Sequence, residues 1–216
     1  MFNTDAREQM IEQQVRAWAV LDGRVLALLR RVPREHFVPP AQRVFAFADL
    51  EISLPHGQHM LRPSVTGRLL QALELTGTER VLQIGTGSGF LTACLAAAAT
   101  QVRAIEIVPE LAALTRENLA SLGVPNAEVA TGDGLQLNER TRYGAIAVTA
   151  SMPVYEKLFQ SQLEIGGRLF VVVDEAPAMD ARLIRRTSEE AWTTESLFET
   201  VIDPLINAPR APEFRF

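Results

Sequence analysis

The stretch "VLQIGTGSGF" (Val81–Phe90) decides the fold. Its first four residues read as a short buried strand, and it runs into an apolar helix pattern, "LTACLAAAA" (91–99). Between the two, Gly85, Gly87 and Gly89 alternate with Thr86 and Ser88. Gly85 and Gly87 have access to φ values closed to other residues and carry no Cβ to hold a ligand away; Gly89 lets the helix start pack closely. In an open α/β sheet such a turn lies at the carboxyl end of a strand, where ligands bind.

Outward from this turn, strand and helix patterns alternate: helix 89–98, strand 101–106, helix 109–122, strand 127–131, strand 144–149, helix 154–163 and the strong strand "GGRLFVVVD" (166–174). Continuous apolar strands with helices between them imply a parallel sheet covered on both faces. Two further strands, near 181–188 and 192–201, have no helix between them and are expected to pair as an antiparallel edge hairpin. Upstream, "SVTGRLLQALEL" (64–75) reads as a helix. The first 40 residues are helical in pattern: Ile11, Val15, Trp18, Val25, Leu28, Leu29 and Val32 recur at helix spacing. Thr4 and Asp22 are candidate N-caps, and Pro33 ends the second helix at the turn-rich "PREHFVPP". The expectation is one α/β domain: residues 1–63 a helical extension and substrate loop, 64–205 a cofactor-binding core, and 206–216 an irregular tail.

Composition bounds the function. Apolar residues make up 47% and charged residues 22% of 216, which supplies a core and argues against disorder. A net charge of −5 disfavours a nucleic-acid backbone as partner. The single cysteine, Cys94, excludes an intrachain disulfide, and its small apolar neighbours make it a buried helix residue rather than a reactive thiol. No apolar run reaches the roughly 18 residues of a membrane span, so the expectation is a cytoplasmic protein with no membrane partner.

Alone, the glycine turn is ambiguous. The dinucleotide fingerprint is Gly-x-Gly-x-x-Gly, and here the third glycine comes one residue early; the Walker pattern needs a lysine that is absent. The spacing fits the loop of class I S-adenosylmethionine methyltransferases better, and a turn without a ligand is the remaining reading. Two carboxylates narrow the choice. Glu106 ends the strand "VRAIE", where an acid accepts from both ribose hydroxyls of an adenosyl ligand. Asp133, in "ATGDG" after the third strand, is placed to accept from the adenine amine, with Gly132 and Gly134 easing the turn. Either could be an ordinary surface acid; the order of Gly-loop, Glu and Asp at three successive strand ends is more specific than any one of them.

The chain resembles the protein-L-isoaspartate (D-aspartate) O-methyltransferase family over most of its length. "EQQVRAWAVLDGRVLALLRRVPREHFVPP" is similar to the family's N-terminal helices, "VLQIGTGSGFLTACLA" to its glycine loop, "LAALTRENLASLGVPNAEVATGDG" to the next helix, strand and acidic turn, and "LEIGGRLFVVV" to a later strand. "LFETVIDPLINAP" is a weaker match. The resemblance implies the class I (Rossmann-like) methyltransferase fold, S-adenosylmethionine as methyl donor with S-adenosylhomocysteine as product, and methyl esterification of isoaspartyl carboxylates in damaged proteins, that is, protein repair. It implies donor-binding residues Gly85, Thr86, Gly87, Gly89, Glu106, Ile107, Asp133, Gly134 and Leu135, no metal, and a monomer or weak dimer.

Such a reaction asks little of the protein. A carboxylate with a pKa near 4 is ionised at neutral pH, so no general base is required, and proximity to the methyl supplies much of the rate. His36, His56 and His59 have no metal-ligand spacing. The chain departs from the family in its substrate loop. In "PHGQHMLRP", Gly57, Gln58 and Pro63 match, but His59, Met60 and Leu61 stand where the family has Thr, Ile and Ser. A leucine side chain cannot hydrogen-bond a carboxylate. Arg62 is the nearest replacement, with His59, Ser64, Thr66 and the loop backbone as others, and Arg62 and His59 are the candidate catalytic residues. Gly144, where the family has an acid, is a second departure. Two readings follow: an isoaspartyl-type methyltransferase, or an adenosylmethionine-binding relative with altered substrate or lost catalysis.

Overall fold

The computed structural model describes residues 4–137 and 140–210. A seven-stranded sheet is built from β3 (Arg80–Ile84), β4 (Gln101–Glu106), β5 (Ala127–Thr131), β6 (Tyr143–Met152), β7 (Leu163–Val173), β8 (Met179–Arg186) and β9 (Trp192–Thr200), preceded in the chain by the two-residue strands β1 (Ile52–Ser53) and β2 (His59–Met60), which pair with each other. The order is β5-β4-β3-β6-β7-β8-β9. The first five are mutually parallel; β8 and β9 run antiparallel as the expected edge hairpin. Strand order reverses between β3 and β6, so the crevice for a ligand opens at their carboxyl ends.

Alternation along β3 sorts the two faces. Val81 belongs to a large cluster with α2 (Gly23–Arg31), α4 (Pro63–Leu73), α5 (Phe90–Ala98) and α6 (Pro109–Ser121). Leu82 and Ile84 belong to a second cluster around Tyr143, Phe159, Leu169 and Val171. The N-terminal segment docks on the first face through Met10, Ile11 and Val15, all essentially buried. It starts as α1 (Thr4–Gln9), widens to π-type turns over Met10–Val15 and tightens over Arg16–Trp18. Asp22 caps α2, its carboxylate accepting from Arg24 N–H at 2.8 Å. The chain then makes the one-turn α3 (Arg34–Phe37).

Two expectations change, and one feature was not foreseen. The helix over 154–163 shrinks to α7 (Leu158–Ser161), because Leu163 is claimed by β7, where it pairs with Tyr143. The second face is therefore covered by short, largely irregular segments among the described residues. Trp18 is 36% exposed rather than buried, edge-on to Phe198 with ring centroids 6.0 Å apart. After β9 the chain returns to the sheet: Ser151 N–H donates to Asp203 O and Leu205 N–H to Ser151 O, both at 2.8 Å, so Pro204 lies beside the end of β6. Residues 211–216 of the expected tail lie outside the described residues. Gly144 seats the Glu79 side chain, whose Cγ would lie 3.1 Å from a Cβ there.

Candidate active site

The glycine turn is built as a continuation of β3. Gly85 N–H donates to Ile105 O at 2.9 Å, and the chain then swings away from the sheet with Gly85 at φ 82°. A Cβ at Gly85 would sit 2.5 Å from Thr149 Oγ1, which donates to the carbonyls of Ile84 and Gly85 at 2.9 Å. Gly89, at φ 94°, closes the turn and starts α5; a Cβ there would press on Thr115 at 3.0 Å. Both positions combine a left-handed backbone with no room for a side chain, so both require glycine.

Glu106, at the tip of β4, is 4% exposed and staples this turn. Its Oε2 accepts from Thr86 N–H (2.7 Å), Gly87 N–H (3.0 Å) and Thr86 Oγ1–H (3.2 Å), and its Oε1 from Val108 N–H (3.0 Å). A carboxylate has about four acceptor positions. Oε2 is saturated by the turn, while Oε1 keeps capacity for another donor. Asp133 follows β5; Oδ1 accepts from Leu135 N–H at 2.9 Å and Oδ2 from Asn207 Nδ2–H at 3.0 Å.

One cleft collects Gly85, Gly87, Glu106, Ile107, Asp133, Gly134 and Leu135. His59 and Leu61 from the substrate loop line its other end. Three expected residues do not line it. Thr86 turns its hydroxyl to Glu106 and to Thr115, Gly89 lies at the helix start beside Thr115, and Arg62 stays outside the lining with its Nε 3.9 Å from the wall residue Glu51. The cleft also takes in Gln58 of the substrate loop and residues the sequence did not single out: Glu51, Thr149, Ala150 and the returning segment Asp203–Ile206. Thr149 was accessible to the strand-tip rule, since it lies near the end of β6 as Glu106 does on β4. For Asp203 no local signal exists beyond the strand-ending Asp-Pro pair.

Asp203 fixes His59. Its Oδ2 accepts from His59 Nδ1 at 2.7 Å, so the proton on that nitrogen is held by the carboxylate. Burial pushes the Glu51 carboxyl above the usual carboxylate range and Asp203 adds to this, against the opposing pull of Arg62 and His59. With Glu51, Glu106, Asp133 and Asp203 all on its walls, the cleft favours a cationic ligand. Among the described residues, no group of three or more His, Cys, Asp or Glu is placed to hold a metal ion. Cys94 is fully buried on α5, and burial pushes its thiol up to about 12.

Both the sequence and the fold have counterparts among known proteins. The sequence profile of the protein-L-isoaspartate(D-aspartate) O-methyltransferase family matches residues 5–208. Protein-L-isoaspartate O-methyltransferase 1 of Rhodopseudomonas palustris (strain HaA2) is 40% identical over 97% of this chain and 88% of its own length. Protein-L-isoaspartate O-methyltransferase 2 of Pelobacter propionicus is 38% identical over 94% and 91%. In fold, the chain is similar to a Plasmodium falciparum protein described as a protein-L-isoaspartate O-methyltransferase and solved with S-adenosyl-L-homocysteine: TM-score 0.78, 20% identity, 93% of this chain and 98% of that one. The profile match over nearly the whole chain and the close relatives settle the family: this chain belongs to the protein-L-isoaspartate(D-aspartate) O-methyltransferases, S-adenosylmethionine-dependent methyltransferases of class I fold.

Proposed function

We propose that this protein methylates the free α-carboxylate of isoaspartyl residues in damaged proteins, with the donor in the cleft at the ends of β3, β4 and β5. The observation that carries the reading is the continuity of that cleft. Gly85, Glu106 and Asp133 line one end, and His59 and Leu61 of the substrate loop line the other, so donor and acceptor meet in one space.

When bound, S-adenosylmethionine supplies a methyl on a sulfonium. Glu106 would hold the ribose through the free capacity of Oε1, and its Oε2 keeps the glycine turn rigid meanwhile. Ile84, Ile107 and Leu135 give the adenine an apolar slot, with Asp133 at its polar edge. Bare backbone at Gly85 and Gly87 admits the rest of the donor. The acid-rich walls favour the positive sulfonium, and that preference relaxes as the charge is transferred away. At the acceptor end, His59 held by Asp203 is the polar side chain facing the substrate, and the apolar Leu61 beside it helps exclude water. Orientation rather than proton transfer drives the step.

The reading extends to a cytoplasmic protein that acts as a monomer or weak dimer on protein substrates rather than nucleic acid. The net charge of −5 supports this. No helix among the described residues is long and apolar enough to cross a membrane. The test is methyl transfer to an isoaspartyl peptide and to its aspartyl twin. Turnover of the first and not the second is expected. Donor binding with turnover of neither would favour the second reading, a binding protein in which Leu61 has replaced the substrate hydroxyl.

A further inference from the structure

Behind Leu61 lies a small chamber that shares Leu61, Gly85, Gly87 and Thr149 with the cleft. Three of its lining side chains are almost wholly buried and carry a polar atom without a partner: Arg34 Nη1, Gln83 Oε1 and Ser88 Oγ, at 2%, 0% and 2% exposure. Arg34 is held in place by other bonds. Its Nε donates to Ala46 O at 3.0 Å, its Nη2 to Leu61 O at 2.9 Å, and its guanidinium lies 5.0 Å from the centre of the Phe90 ring. Among the described residues no carboxylate pairs with it. Asp49, which acts on it at a distance, is occupied by the N–H and hydroxyl of Ser64 at 3.0 and 2.9 Å. Burial lowers the guanidinium to about 10, which still leaves it charged at neutral pH. A buried charge without a carboxylate partner is unfavourable on its own, so the unmet Nη1 is a place where an anion would be stabilised.

The set of unmet groups describes what is missing. Arg34 Nη1 is a charged donor that suits a carboxylate. Gln83 Nε2 donates to Gly85 O at 2.8 Å, so its Oε1 faces the chamber as an acceptor. Ser88 Oγ serves as either. A charged donor and an acceptor together match a carboxylate whose neighbouring carbon bears an N–H. We propose that the chamber is an α-carboxylate subsite of the active centre, with Arg34 as its charge partner, Ser88 as a second donor, and Gln83 accepting from the adjacent nitrogen. Resting on the methyltransferase reading, two ligands present that chemistry: the isoaspartyl residue, whose free carboxylate sits on the carbon bearing the amide nitrogen, and the methionyl end of the donor. With the isoaspartyl residue as occupant, Arg34 would take the part expected of Arg62; with either occupant, the Leu61 carbonyl orients the guanidinium.

Arg34→Lys, Gln83→Leu and Ser88→Ala, made separately in the full chain, test this. Three quantities are read: the unfolding midpoint, S-adenosylhomocysteine affinity by calorimetry, and KM for an isoaspartyl peptide at saturating donor. Arg34→Lys should worsen one of the two ligand constants by about tenfold to a hundredfold, the range for a hydrogen bond to a charge. Ser88→Ala and Gln83→Leu should move the same constant by about threefold to tenfold. Ser88→Ala touches neither Ala46 nor Leu61, so its effect is not a consequence of loosening the Arg34 staple. A weaker homocysteine product assigns the chamber to the donor; a raised peptide KM with unchanged product affinity assigns it to the acceptor. If Ser88→Ala and Gln83→Leu leave both constants unchanged, and Arg34→Lys only lowers the unfolding midpoint, Arg34 is structural and the proposal falls. A wild-type protein that binds the product yet ignores isoaspartyl peptide would defeat the functional reading instead, and the calorimetric arm would still judge the chamber.

Discussion

The two ends of the cleft are built by different means. At the donor end, Gly85, Glu106 and Asp133 each sit at or just beyond the tip of a parallel strand, and backbone hydrogen bonds fix their spacing. At the acceptor end, the two-residue strands β1 and β2, the buried Arg34 and the returning segment 203–206 are drawn together by side chains: Asp203 to His59, and Arg34 to the Leu61 carbonyl. A sheet holds its strand tips in place with many shared bonds, so single changes there act mainly on the ligand or on the turn itself. An end assembled from single contacts shifts whenever one of them is lost.

This contrast sets an order of effects. Gly85→Val should be the most damaging, because it forces a branched side chain into a left-handed backbone and onto Thr149 Oγ1; a loss of about 3 kcal/mol in stability and no measurable donor binding are expected, read by thermal unfolding and calorimetry. Wild-type donor affinity in that variant would mean the turn is not the donor site. Glu106→Gln should weaken donor binding by about 1.5–3 kcal/mol, since both the proposed ribose contact and the staple would lose a charge.

Glu79 is a control at the opposite, amino-terminal end of β3. Burial pushes its carboxyl up, but the N–H and hydroxyl of Thr76 and the charge of Arg168 at 3.1 Å outweigh this and hold it below 4.5. A lowered value means its contribution is complete above pH 4.5 and is lost as pH falls through the folded-state value. Glu79→Gln should therefore cost about 1.5 kcal/mol at pH 7 and flatten the acid limb of stability, with donor affinity unchanged. An undiminished acid limb would place the sensitive carboxylates elsewhere.

At the acceptor end, Asp203→Asn should raise the peptide KM several-fold, about 1 kcal/mol, and weaken donor binding by less, because it frees His59 and removes one of several acids on the cleft walls. Equal losses for both ligands would erase the distinction between the two ends. Smallest of all is Arg62→Ala. Its side chain is 40% exposed and its Nε 3.9 Å from Glu51, so a change below about 0.5 kcal/mol in any ligand constant is expected from steady-state kinetics.

The same contrast explains what was legible in the sequence. Strand tips announce themselves locally: an apolar run, then Gly, Glu or Asp where the run stops, and the β8–β9 hairpin from the lack of a helix between two runs. Asp203 is invisible by such means, because its contact with His59 spans 144 positions and depends on where the chain turns back after β9. Arg34 was read only as part of a turn; nothing in "PREHF" says that its side chain enters the core. The helix expected over 154–163 failed for a related reason. Phe159 and Leu163 have helical spacing, but β7 needs Leu163 more, and Val154 is left 36% exposed.

The return of Asp203–Leu205 to Ser151 also has a temporal meaning. Chains are made from the N-terminus at about 5–20 residues per second, and domains take shape as they emerge. Every strand of the sheet precedes residue 201, so the wall that completes the cleft and orients His59 is supplied by the chain after the sheet is complete in sequence. The acceptor end is thus closed by a segment that follows the whole sheet in the chain, so the His59–Asp203 contact can form only once β9 has brought the chain back to the end of β6.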